Sequence, residues 1–143
     1  MFLLDFIQSL GIILTLILTV IQMWFYNKSL RASTLATIMA RNDEINRVFI
    51  QNPELFVKLN ESYPEVANRE SSDARPLVLY SLFNLYEELH LYRKYGYVDE
   101  EIWEAWRNSM AKIFNYRYAS GFWKEVKSEY RKEFQFFVDT LIR

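Results

Sequence analysis

Cysteine is absent from this chain, histidine occurs once, and glycine and proline occur three times each. Without cysteine there is no disulfide, no thiolate metal site and no cysteine nucleophile, although the compartment stays open. The three glycines, at positions 11, 96 and 121, are too scattered to cradle a phosphate, which excludes a phosphate-loop nucleotide hydrolase. A basic excess is missing as well: 17 Lys and Arg stand against 18 Asp and Glu, so nucleic acid is not an expected partner. What the chain has instead is 51% hydrophobic and 17% aromatic residues within 143. That composition suits packed helices better than disorder or a turn-rich sheet, and the predicted class is all-α.

Charge is lacking altogether from residues 6–27. A helix of that length reaches about 33 Å, enough to cross a hydrocarbon core of about 30 Å with modest tilt. The run reads as a retained anchor rather than a cleaved signal. No Lys or Arg precedes it, and it ends in Trp24-Phe25-Tyr26, which suits a headgroup boundary and not a small-residue cleavage site. Lys28, Arg31, Arg41 and Arg47 all follow the run, so the expected topology in the cell membrane is N-terminus outside and C-terminal domain cytoplasmic. The domains are then a transmembrane helix over 1–27 and a cytosolic helical bundle over 28–143, large enough for one core.

Within the run Gln8, Thr15 and Gln22 recur every seven residues, with Gly11 and Thr19 widening the same face. Lipid offers no partner to a side-chain amide, so this stripe is a candidate helix contact or pore lining. The bland account is that Thr hydroxyls bond back to the preceding turn while Gln8 and Gln22 reach for headgroups.

Apolar residues at 35, 38, 45, 48 and 49 keep helical spacing beyond the membrane, so the first helix should continue to a break at Asn52-Pro53-Glu54-Leu55. Asn52 is the expected cap of a short second helix, with Pro53 at its first position. Residues 61–74 read as a long, mobile loop. A third helix, with Pro76 in its first turn and Gly96 as its stop, is apolar nearly all round over residues 77–86 and should be central. Asp99 is expected to cap a fourth helix that buries Ile102, Trp103, Trp106, Met110, Ile113 and Phe114. A further turn is expected around Ala119-Ser120-Gly121, followed by one or two helices that bury Phe122, Trp123, Val126, Phe134, Phe137, Val138 and Leu141.

The bundle offers little catalytic chemistry. Glu87 and His90 have the Glu-x-x-His spacing of di-iron bundles, but such a site needs a second pair and the chain has no second histidine. Ribonuclease bundles carry an Arg shortly before the His, in slots held here by Phe83, Asn84 and Leu85. Asn84, Glu87, Glu88 and His90 are instead a candidate polar network, in which carboxylates bond to Arg or Tyr and set helix register. Aromatics interleaved with Arg over residues 114–123 have the elements of base stacking, but at a helix turn they more often close a core. No enzyme activity, cofactor or metal is expected.

The motifs Asn52-Pro53-Glu54-Leu55, Phe83-Asn84-Leu85-Tyr86-Glu87-Glu88, Gly96 followed by Ile102-Trp103-Glu104-Ala105-Trp106, Phe122-Trp123 and Phe134-Gln135-Phe136-Phe137 span most of the chain after the anchor. In this pattern the sequence resembles a loosely defined family of small prokaryotic proteins with an N-terminal membrane helix and a cytosolic helical bundle. Proteins of that build include small ancillary membrane proteins of CRISPR systems. The resemblance implies no enzyme activity and is similar to a membrane-acting role in antiviral defence. Two functions follow as expectations. One is a homo-oligomer that forms a pore or perturbs the bilayer; the other is a non-conducting adaptor that presents its bundle to an unknown cytosolic protein.

Overall fold

The computed structural model describes residues 2–65 and 72–142, with side chains from residue 6 onward. Among the described residues the chain is all-helical, with no strand. The helices are α1 (Phe2–Gln51), α2 (Pro53–Lys58), α3 (Arg75–Lys94), α4 (Glu100–Phe114), α5 (Arg117–Val126) and α6 (Lys132–Leu141), with a 3₁₀ turn over Lys127–Glu129 between the last two. The chain divides into two compact units, Met1–Ala36 and Thr37–Arg143. The first is helix alone, and every side chain over 6–29 is exposed. This part of α1 is long and apolar enough to cross a membrane.

The second unit is a helical bundle built around α3. Its side chains Leu79, Leu82, Phe83, Leu85, Tyr86 and Leu89 are buried, and Leu77, Ser81 and Asn84 form the narrow strip left exposed along its first part. Phe83 is the hub, stacked on Phe114 of α4 at 4.5 Å and meeting Trp123 of α5 edge-on at 5.5 Å. Trp123 in turn lies 5.8 Å from Phe134 of α6. Such aromatic pairs add stabilisation beyond the area they bury, because ring edges and faces carry opposite partial charge. The last turns of α1 close one side through Ile38 and Phe49, both buried, with Asn42, Ile45 and Val48 half-buried at the same helical spacing.

Helix ends follow local chemistry with three departures from expectation. Gly96 stops α3 as foreseen: its φ of 73° suits glycine, its N–H donates to Arg93 O at 2.9 Å, and Tyr97 N–H reaches Tyr92 O at 2.9 Å. Asn52, however, does not cap α2 with its side chain; Nδ2 donates backwards to Val48 O at 3.0 Å and so finishes α1. Asp99 occupies the cap position of α4, and its carbonyl accepts the Trp103 N–H at 2.9 Å, but its carboxylate makes no capping bond. The turn expected around Ala119-Ser120-Gly121 falls earlier, at Asn115-Tyr116, and Gly121 lies inside α5. A Cβ at Gly121 would overlap the Tyr63 side chain, so this glycine serves close packing rather than a turn. Of the loop expected over 61–74, residues 66–71 lie outside the described residues.

Because Phe83 is fully buried among rings from α4 and α5, Phe83→Ala should lower bundle stability by roughly 3–5 kcal/mol. Denaturant unfolding of the full-length protein in detergent, followed by near-UV circular dichroism, measures it. A loss under about 1 kcal/mol would mean that Phe83 is not the hub.

Candidate functional site

In the first unit, Gln8, Gly11, Thr15, Thr19 and Gln22 fall on an arc of about 80° at 100° per residue. The remaining circumference over residues 6–23 is apolar apart from Ser9. The structure separates the members of this stripe by what their polar atoms do. Thr15 Oγ1 donates to Gly11 O at 2.8 Å, and Thr19 Oγ1 donates to Thr15 O at 2.8 Å. Both hydroxyl protons are therefore satisfied within the helix, at the cost of a weak local competition with the backbone ladder. Gln8 and Gln22 are exposed and make no side-chain hydrogen bond among the described residues. The middle of the stripe is thus small and self-satisfied, while its two ends, about 21 Å apart along the axis, carry unpartnered amides.

At the end of this run Trp24 and Phe25 meet edge to face at 5.0 Å, and Lys28 Nζ sits 5.5 Å from the Trp24 ring centroid. An indole beside a lysine suits a headgroup boundary, where one part of the pair is apolar and the other wet.

In the bundle, the four residues expected to form one polar network do not do so. Glu87 Oε1 accepts from the Arg131 backbone N–H at 2.7 Å and from Arg131 Nε at 3.1 Å, and the Arg131 guanidinium also donates to Glu87 O at 2.9 Å. This ties α3 to the start of α6. Glu88 faces elsewhere, accepting from Arg41 of α1 and from Tyr92 Oη at 3.0 Å. The carboxylates therefore bond to Arg and Tyr, in two separate pairs rather than one chain. Asn84 lies outside both, on the exposed strip of α3. His90 is separated from them by ring packing: it lies 5.0 Å from Phe137, 5.7 Å from Phe134 and 5.9 Å from Trp103. Burial among these rings holds the imidazole pKa below its usual 6.5, and the Arg131 charge adds to the effect. Among the described residues no three His, Cys, Asp or Glu side chains gather as a metal site.

The densest polar cluster was not foreseen. Arg75 Nε donates to both Asp73 oxygens at 2.9 and 3.0 Å, and its Nη1 donates to Lys58 O at 3.0 Å and to Glu61 Oε2 at 2.7 Å. Its guanidinium lies 4.0 Å from the Tyr118 ring centroid, and Tyr118 Oη donates to Asp73 Oδ2 at 2.7 Å. One arginine thereby joins the end of α2, the start of α3 and the start of α5, and the Tyr118 N–H to Leu59 O bond of 3.0 Å reinforces the junction. Burial alone would raise the Asp73 pKa, but hydrogen bonds from Arg75 and Tyr118 outweigh it and hold the carboxyl below its usual value. The signal available in the sequence was Asp73 placed two residues before Arg75 at a helix start. Tyr118, 45 residues away, had none.

No protein-family model, curated protein or solved structure matches the chain. The antiviral-defence role implied by resemblance therefore rests on build alone.

Two of the shifted groups have lowered folded pKa values, so both lose stability as pH falls, in separate windows. Asp73 has a depressed folded pKa, so its contribution is complete above 3.8 and is lost as pH falls through the lower folded value. His90 is kept neutral by the fold, so stability declines as pH falls below 6.5, where the unfolded chain takes up the proton first. Asp73→Asn should reduce the acid-limb slope, to which Glu133 also contributes, and cost about 2 kcal/mol near neutrality, while His90→Phe should flatten the slope below 6.5. Denaturation midpoints measured across pH read both; an unchanged acid limb in Asp73→Asn would remove the clamp from this account.

Proposed function

We propose that the protein is a single-pass membrane protein whose N-terminal helices pack against one another through the stripe at residues 8–22, carrying the bundle on the cytoplasmic side. The observation that carries this reading is the stripe itself, five small or polar residues on one narrow arc of a stretch of helix that is exposed throughout and, Ser9 apart, otherwise apolar. Gly11, Thr15 and Thr19 let two backbones approach closely, and dispersion grows with such contact. Gln8 and Gln22 supply amides whose partners in a bilayer must come from another helix, a headgroup or water. Lys28, Arg31, Arg41 and Arg47, all on the C-terminal side, support the orientation.

In a ring of several copies the same face turns inward, the amides meet water, and permeation across the membrane becomes the activity of the assembly. A second reading is a non-conducting adaptor, favoured by the back-bonded Thr15 and Thr19, which leave the middle of the stripe without a free hydroxyl proton to solvate a path. A role in antiviral defence would follow from the permeating form, since leakage is a direct way for a small membrane protein to stop a cell.

The full-length protein in nanodiscs should have the mass of a multimer, and Gln8→Leu, Thr15→Leu and Gln22→Leu together should shift it toward monomer with the bundle's circular dichroism unchanged. A native protein that is monomeric under these conditions overturns self-association. Dye release from vesicles separates the two readings: release that the triple variant abolishes supports the pore, and a multimer that releases nothing supports the adaptor.

A further inference from the structure

No carboxylate occurs between residues 6 and 42; the first acid after Asp5 is Asp43. Lys28 and Arg31 lie in that interval within the first unit, both exposed, and neither enters an ion pair among the described residues. In the second unit every cation has carboxylates close by in sequence, and several are paired, as Arg41 is with Glu88, Arg75 with Asp73, Lys94 with Glu133 and Lys127 with Asp139. What sets Lys28 and Arg31 apart is the carboxylate-free interval around them, at the end of the apolar run. Their placement is specific. Trp24, Lys28 and Arg31 fall on an arc of about 60°, centred about 180° around the helix from the Gln and Thr stripe. Lys28 lies about 6 Å beyond Trp24 along the axis, within a headgroup layer roughly 5–8 Å thick, and Arg31 about 10 Å beyond it, just past that layer, from where its long side chain reaches back toward the phosphates.

We propose that this face of α1 binds the headgroups of anionic phospholipids. The inference rests on the membrane reading of residues 6–27. Lysine supplies a point charge and arginine a fork of donors for phosphate oxygens, while the Trp24 indole sits at the boundary with its ring on the acyl side. Zwitterionic lipids carry their own cation and leave the two charges uncompensated; an anionic headgroup neutralises them. Because the surface points away from the stripe, a lipid here and a neighbouring helix there do not compete, and lipids would form the outer rim of any assembly.

The test uses the full-length protein in nanodiscs made from an equal mixture of phosphatidylcholine and phosphatidylglycerol, with retained lipids counted by native mass spectrometry. Native protein should retain phosphatidylglycerol in preference by about fivefold per cation, falling as salt is raised. Lys28→Gln with Arg31→Gln should bring the preference close to unity, whereas Lys28→Arg with Arg31→Lys should keep it. Equal retention of the two lipids by native protein, or an unchanged preference in the glutamine variant, overturns the surface while leaving the span intact. Protein that never enters the discs overturns the span, and this surface with it.

Discussion

Helices α3 to α6 meet through the aromatic packing that starts at Phe83, while α1 and α2 join the bundle through a separate chain of rings, Phe49, Phe56 and Tyr116. Phe83 stacks on Phe114 and meets Trp123 edge-on, and Trp123 carries the contact on to Tyr130 and Phe134. Rings of this size are rigid, so a shift of one of these four helices would displace the other three. The ion pairs at the rim, Glu87 with Arg131 and Glu88 with Arg41, connect helices that the rings have already brought together. Being partly exposed, they contribute modestly to stability and more to register. Arg75 is the exception: with its side chain only 14% exposed it joins three helix ends at once, which makes Asp73 and Tyr118 partners it cannot lose cheaply.

The first unit obeys the opposite rule. Its side chains are exposed over residues 6–29, so in water it would present a long apolar surface that a soluble monomer does not tolerate. A bilayer removes that penalty and leaves two faces to be explained, the stripe of small and polar groups and the Trp24, Lys28 and Arg31 face opposite it. The back-bonds of Thr15 and Thr19 bear on the first, because they convert what looked like a row of hydrogen-bond donors into a close-packing surface with an amide at each end. The missing carboxylates bear on the second, because they leave Lys28 and Arg31 without an acidic residue nearby in sequence.

Helical periodicity made α3 and α4 readable before any coordinates, since runs of apolar residues at spacings of three and four can bury a face only as a helix. Gly96 was readable for a different reason: a positive φ is intrinsic to the backbone of one residue. Gly121 misled for the same reason, because a glycine that permits a turn also permits close approach, and only the position of Tyr63 separates the two. Asn52 and Asp99 stood at genuine helix starts, yet which acceptor or donor a short polar side chain chooses is decided by small differences among nearby backbone groups.

The candidate network shows the same division. Glu87, Glu88 and His90 share one stretch of helix, but residues one apart point about 100° away from each other, so Glu87 reaches α6, Glu88 reaches α1, and His90 enters a pocket of rings. Sequence by itself determined the helical class, the uncharged apolar run, the stripe and the carboxylate-free interval around Lys28 and Arg31, because these depend on residue type and spacing along one helix. Only the tertiary structure decided the Arg75 clamp, the separation of the two glutamate pairs and the ring contacts that half-bury His90, because each needs groups distant in the chain to meet, and nothing local to either partner encodes that meeting.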